Sequence, residues 1–126
     1  MLDLEKKDVC IYIEKVKKAI REGRYQVSSR DKNEELFLNY IITEKEREEI
    51  LLGLCVEDFC KAEPNDHPDY PDEIIYIFGK DVELMPRFGG DIKTVSLYIK
   101  FNKLDNSYVI VISFHEQKYP MKYKFK

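Results

Sequence analysis

TVSLYIKF (Thr94–Phe101) and YVIVISFH (Tyr108–His115) are two apolar runs joined by a short polar stretch, and how they pair decides the fold. In the first, Val95, Leu97, Ile99 and Phe101 alternate with Thr94, Ser96, Tyr98 and Lys100. In the second, Ile110, Ile112 and Phe114 alternate with Val111, Ser113 and His115. Side chains two apart on a strand share a face. The runs therefore predict a β-hairpin with Val95, Leu97, Ile99, Ile110, Ile112 and Phe114 in the core, and Tyr98, Lys100, Ser113 and His115 together on an open face. A tight turn at Asn106–Ser107 would set Tyr98 opposite His115 and Lys100 opposite Ser113, whereas a turn centred one or two residues earlier would slide them apart. Asn-Ser is a weaker turn signal than Asn-Gly, so alternation leaves the register open. A phenol, an ammonium and an imidazole on one face suit acid–base work on a phosphate.

Outward from the hairpin, Val9, Ile13, Val16 and Ile20 recur at helical spacing within Leu2–Glu22, and Gly23 offers a stop. Arg24–Arg30 reads as a short strand. Asp31 with Glu34 resembles a capping pair for a brief helix through Leu38. Thr43 with Glu46 is a clearer capping box, opening a helix with Ile50, Leu51 and Leu54 on its buried side. From Ala62 to Glu73 the acids and Pro64, Pro68 and Pro71 predict a loop. Ile74–Phe78 begins the sheet, Gly79 ends that run, and Arg87–Asp91 is a turn. In Lys118–Lys126, Tyr119, Met121, Tyr123 and Phe125 alternate with Pro120 and the lysines, which predicts a last strand. Helices first and strands after predict an α+β fold, with N-terminal helices packed on one face of a twisted antiparallel sheet.

At 126 residues the chain is expected to be one domain, 1–126, with a single core. Its 36% charged residues describe a surface, because aliphatic and aromatic residues are plentiful. No apolar run reaches the roughly 20 residues that span a bilayer, and the N-terminus lacks an apolar signal stretch, so a cytoplasmic location is expected. The net charge of −3 hides an asymmetry. Residues 1–92 carry 14 basic and 22 acidic side chains, and residues 93–126 carry 7 basic and 2 acidic. A basic hairpin and tail on an acidic body can steer a polyanion to one place, although lysines on exposed strands also serve solubility alone.

Cys10, Cys55 and Cys60 are odd in number and form no Cys-x-x-Cys pair, which speaks against a disulfide framework or zinc site; Cys10 and Cys55 are expected as small buried apolar groups. His67 with Asp66 and Asp69 makes a poor metal set without a second histidine, and no cofactor is expected. Phosphate-cradling glycine loops and nucleophile elbows are missing from the sequence. From the residues alone, Lys61 reads most simply as a lysine complementing a helix C-terminus.

Three strings in order, LLGLCVEDFCK (Leu51–Lys61), VSLYIKF (Val95–Phe101) and VIVISFHE (Val109–Glu116), resemble the MqsR family of bacterial toxin ribonucleases, whose fold is similar to that of RelE-like toxins. The run HEQKYPMKY (His115–Tyr123) is similar to a branch of that family with a histidine and an aromatic-proline tail. The resemblance implies a catalytic lysine at Lys61, a strand tyrosine at Tyr98 and a basic catalytic residue at His115. The chain departs from the pattern at Cys60, where an aromatic is familiar, and in having histidine instead of lysine after the SF pair. Tyr76 is the nearest position to the family's glutamine.

The implied activity is metal-independent cleavage of single-stranded mRNA, the ribose 2′-OH attacking the adjacent phosphate. His115 would be acid or base, Tyr98 a hydrogen-bond donor or second proton carrier, and Lys61 and Lys100 charge stabilisers. Lys118, Lys122, Tyr123 and Lys124 are the candidates for holding RNA. The resemblance also implies an antitoxin with a helix-turn-helix DNA-binding part, for which the acidic surface of residues 1–92 is available. Two other readings stand beside it: a non-catalytic RNA- or partner-binding module on the same fold, and a small regulatory protein whose acidic loop binds a basic partner.

Overall fold

A computed structural model of the chain describes residues 3–65, 68–69, 73–102 and 108–126. Helix α1 (Lys6–Arg21) buries Val9, Ile13, Val16 and Ile20 as the spacing predicts. It ends where Arg24 N–H reaches Ala19 O at 2.8 Å and Gly23 N–H reaches Ile20 O at 3.1 Å. Gly23 has φ 73°, the left-handed cap that glycine adopts without Cβ strain. There follow β1 (Tyr25–Val27), α2 (Asp31–Asn39), β2 (Tyr40–Ile41), α3 (Glu44–Leu52), a short 3₁₀ turn, β3 (Phe59–Pro64), β4 (Ile74–Pro86), β5 (Lys93–Asn102) and β6 (Val109–Glu116). The Thr43–Glu46 capping box opens α3 as expected, Glu46 N–H donating to Thr43 Oγ1 at 3.1 Å. Helix α2 differs from expectation: Arg30 is its N-cap and Asp31 its first helical residue. Asp31 and Glu34 meet the positive end of the helix dipole instead of capping it.

The architecture is α+β. Strand order is β1-β6-β5-β4-β2, with β3 also on β4. The sheet is mixed and not wholly antiparallel, because β1 runs parallel to β6. The long stretch of chain between them acts as a crossover, so no hairpin forces the antiparallel sense. Side chains of α1 pack with Leu51, Leu54, Phe78, Leu97, Ile99, Phe101, Val109, Val111 and Phe114 in one core. No helix among the described residues is long and apolar enough to cross a membrane.

Several expectations are corrected. Tyr98 opposes His115 and Lys100 opposes Ser113, but the next pair is Phe101 with Val111, leaving Ile112 as a β-bulge. One extra residue reverses the alternation. Val109 and Val111 therefore fill the core, while Ile110 and Ile112 are only half-buried. The Asn106–Ser107 turn lies outside the described residues. Strand β3 takes in Ala62–Pro64, part of the expected loop, since a proline closing an edge strand lacks only an N–H. Strand β4 runs straight through Gly79. A Cβ there would stand 2.5 Å from Tyr123 Oη, 2.9 Å from Gln117 Nε2 and 3.0 Å from Met121 Sδ, so the glycine makes room for the C-terminal segment. That segment is not a strand: no strand follows Glu116 among the described residues. Cys10 and Cys55 are exposed, Cys10 because it falls beside the buried stripe of α1.

Candidate functional site

Two rows of side chains cross the sheet face turned away from the core; Ile77 and Ser113 in them are buried, and Tyr98, Lys100 and His115 are half-buried instead of lying on an open face. One runs Lys61, Ile77, Lys100, Ser113 through β3, β4, β5 and β6; the next runs Gly79, Tyr98, His115. A register shift at Cys60 lets both Cys60 and Lys61 point to this face while Phe59 and Ala62 stay in the core. The rows floor a cleft of about 890 Å³. Its remaining walls are Arg30 to Asn33 at the start of α2 and Lys118 to Lys122 of the C-terminal segment. Lys61 is thus a strand residue and not a helix-terminal one.

Tyr98 and His115 stack, with ring centroids 5.1 Å apart and planes 12° from parallel. The carbonyl of Glu116 can only accept, so its 2.8 Å contact identifies His115 Nδ1 as the protonated nitrogen and leaves Nε2 as a lone-pair base. Burial lowers the pKa of His115 below its ordinary 6.5, and Lys32, Arg30 and Lys100 push it the same way against the Glu116 contact. Burial and these cations thus favour the neutral imidazole. Burial, with Glu63 and Cys60, raises the Tyr98 pKa, which keeps the phenol a donor. Cys60 is pushed up to about 11, chiefly by burial, so its thiol is no nucleophile near neutrality.

Among the described residues six cations line the cleft, Arg30, Lys32, Lys61, Lys100, Lys118 and Lys122, against the one carboxylate of Asp31. Lys61 also pairs with Glu63 at 3.3 Å. A second hollow of about 370 Å³ shares Lys32, His115 and Lys118 with the first and continues past Glu35, Asn39 and Gln117. His115 therefore borders both hollows, the second of which also carries the carboxylates of Glu35 and Glu116.

All four expected catalytic residues, His115, Tyr98, Lys61 and Lys100, come together, and Lys118 and Lys122 join them. Tyr123 and Lys124 do not line the cleft. Tyr123 is tucked over Gly79, its hydroxyl accepting from Gln117 Nε2 at 3.3 Å, and Lys124 pairs with Asp3. Tyr76 faces the opposite way, stacked on Tyr12 in the core, so it offers no counterpart to a catalytic glutamine. Asp66 and His67 lie outside the described residues, and among those described no cluster of His, Cys, Asp or Glu is disposed to hold a metal. Arg30, Lys32 and Tyr119 went unsuspected in the sequence. Nothing local ties the start of α2 to the hairpin, and the alternation of Tyr119 with its neighbours mimics a strand.

No family model, curated protein or solved structure matches this chain.

Proposed function

We propose that the protein is an endoribonuclease that cleaves single-stranded mRNA, acting as the toxin of a toxin–antitoxin pair of MqsR type. The observation that carries the reading is the His115 imidazole, its Nδ1 against Glu116 O and its ring stacked on the Tyr98 phenol, in a cleft that six cations line among the described residues. His115 Nε2 takes the proton from a ribose 2′-OH, and O2′ forms its bond to the adjacent phosphorus. The P–O5′ bond breaks, and the departing O5′ receives a proton from an acid, Tyr98 or a lysine. The products are a 2′,3′-cyclic phosphate and a 5′-OH. Lys61 and Lys100, flanking Ile77 in one row, are positioned to neutralise the charge that builds on the phosphorane oxygens. Because the 2′-OH is the nucleophile, DNA would not be a substrate.

His115 lines both hollows, which suits an internal bond in a strand better than a terminal one. The proposed antitoxin, with its helix-turn-helix part, would find acidic surface on α3, where Glu44, Glu46, Glu48 and Glu49 lie.

The test is cleavage of an unstructured RNA by purified protein, with analysis of the new ends. Cyclic phosphate and 5′-hydroxyl ends, lost when the 2′-OH at the cut site is replaced by hydrogen, support the reading. Binding without cleavage of any RNA, free or ribosome-bound, would favour the non-catalytic module instead.

A further inference from the structure

We propose that Tyr119 is the platform on which one unpaired base of the bound strand stacks, and that residues 117–123 are a strap built to present it. The ligand's identity as RNA rests on the ribonuclease reading; the platform itself rests on the geometry of the strap. Both ends of the strap are pinned. Gln117 donates its backbone N–H to Ser96 O at 2.8 Å and its side-chain amide to Leu97 O at 3.0 Å. Tyr123 and Met121 settle on Gly79, and beyond them Lys124 N–H reaches Phe59 O at 3.1 Å while Phe125 stacks on Phe59.

Between these anchors Tyr119 is 73% exposed at the edge of the cleft. An aromatic ring so far out of the core adds little to folding, yet Pro120 beside it restricts the backbone that carries it. Lys118 and Lys122 flank it on the same wall. Cations along a groove with an interleaved ring form the usual device for gripping a single strand, the charges taking phosphates and the ring a base face. The six cations would accept any polyanion; the ring selects one with an accessible base. A base within a duplex has both faces covered, so Tyr119 would discriminate single strands from double strands.

The chain has no tryptophan, so Tyr119→Trp installs a single indole at the platform, to be excited at the red edge where the remaining tyrosines absorb little. We would titrate this variant with a 2′-O-methyl oligonucleotide, which cannot be cleaved, with a blunt RNA duplex and with inorganic polyphosphate. Saturable quenching by the oligonucleotide and not by the other two is expected. Tyr119→Ala should weaken oligonucleotide binding on the order of 10-fold, with polyphosphate affinity and thermal midpoint unchanged, while Tyr119→Phe retains binding. Undiminished binding by Tyr119→Ala, a tryptophan unquenched by bound oligonucleotide, or no binding of single strands by the native protein would each overturn the platform. Tyr119-dependent binding without cleavage would uphold it and defeat the ribonuclease reading. Cleavage and binding indifferent to Tyr119 would do the reverse.

Discussion

Phe114 donates its backbone N–H to the side-chain oxygen of Asn33 at 2.8 Å, a contact between residues 81 positions apart in the chain. Asn33 Nδ2 in turn donates to Ile112 O at 3.1 Å and to Ser28 O at 2.9 Å. Pairing of β1 with β6 ends at Val27 and Val111, and Asn33, fully buried, takes over the strand edge where β1 stops. It thereby satisfies the backbone on both sides of the Ile112 bulge. Past that bulge Ser113 and His115 point into the cleft, so one asparagine links the start of α2 to the orientation of the proposed base.

Asn33→Ala should consequently be among the more destabilising single changes. It leaves the buried Phe114 N–H and the carbonyls of Ile112 and Ser28 without this partner, at about 1–3 kcal/mol for a buried group left unpaired. Urea unfolding would measure the loss. A change below about 0.5 kcal/mol, the range of ordinary surface substitutions, would mean that the bulge is held by something else.

His115→Ala should slow single-turnover cleavage on the order of 10²–10⁴-fold while changing RNA affinity little, since a proton-transfer group acts in the transition state and cations dominate capture. Lys122→Ala should do the opposite, weakening capture and flattening its salt dependence. Cleavage at full rate by the His115 variant would remove that residue from the chemistry.

The pH profile follows from the lowered pKa of His115. A general base works when unprotonated, and burial with the neighbouring cations lowers its pKa below 6.5. Cleavage should thus be on its plateau at pH 7 and fall on an acidic limb centred below 6.5. Lys32→Ala removes one of the repelling charges and should move that limb toward neutrality. Folding obeys the same sign: a depressed histidine pKa contributes stability that is full above 6.5 and declines as pH falls toward the folded value. An acidic limb that Lys32→Ala leaves in place would assign the titration to another group.

Gly79→Ala drives a methyl group against Tyr123, Gln117 and Met121 at once. Overpacking of this kind typically costs about 1–3 kcal/mol. Because these three side chains anchor the strap, the variant should also bind single strands less tightly, even though position 79 itself carries no group that touches RNA. Unchanged thermal midpoint and affinity together would show that the strap readily settles elsewhere.

Cleavage should survive EDTA, because an imidazole, a phenol and lysines can supply base, acid and charge. Complete dependence on added Mg²⁺ or Mn²⁺ would defeat the proposed mechanism.

Features whose partners lie a few residues away are legible in the chain's local pattern. The α1 stripe, the Thr43–Glu46 box, the alternation of β5 and the company of Tyr98 with Lys100 all follow from helical or strand periodicity and from local hydrogen bonds. Tertiary structure alone decided the rest. The parallel docking of β1, the bulge that brings Val109 and Val111 into the core, the passage of β4 through Gly79 and the arrival of Arg30 and Lys32 beside His115 each depend on a group distant in the chain. Period-two alternation cannot register an inserted residue whose hydrogen bonds are met by Asn33, nor can a glycine's neighbours reveal that a tyrosine far downstream will lie on it. Buried backbone groups must find partners wherever the fold supplies them, and here that requirement, more than any local propensity, set the shape of the cleft.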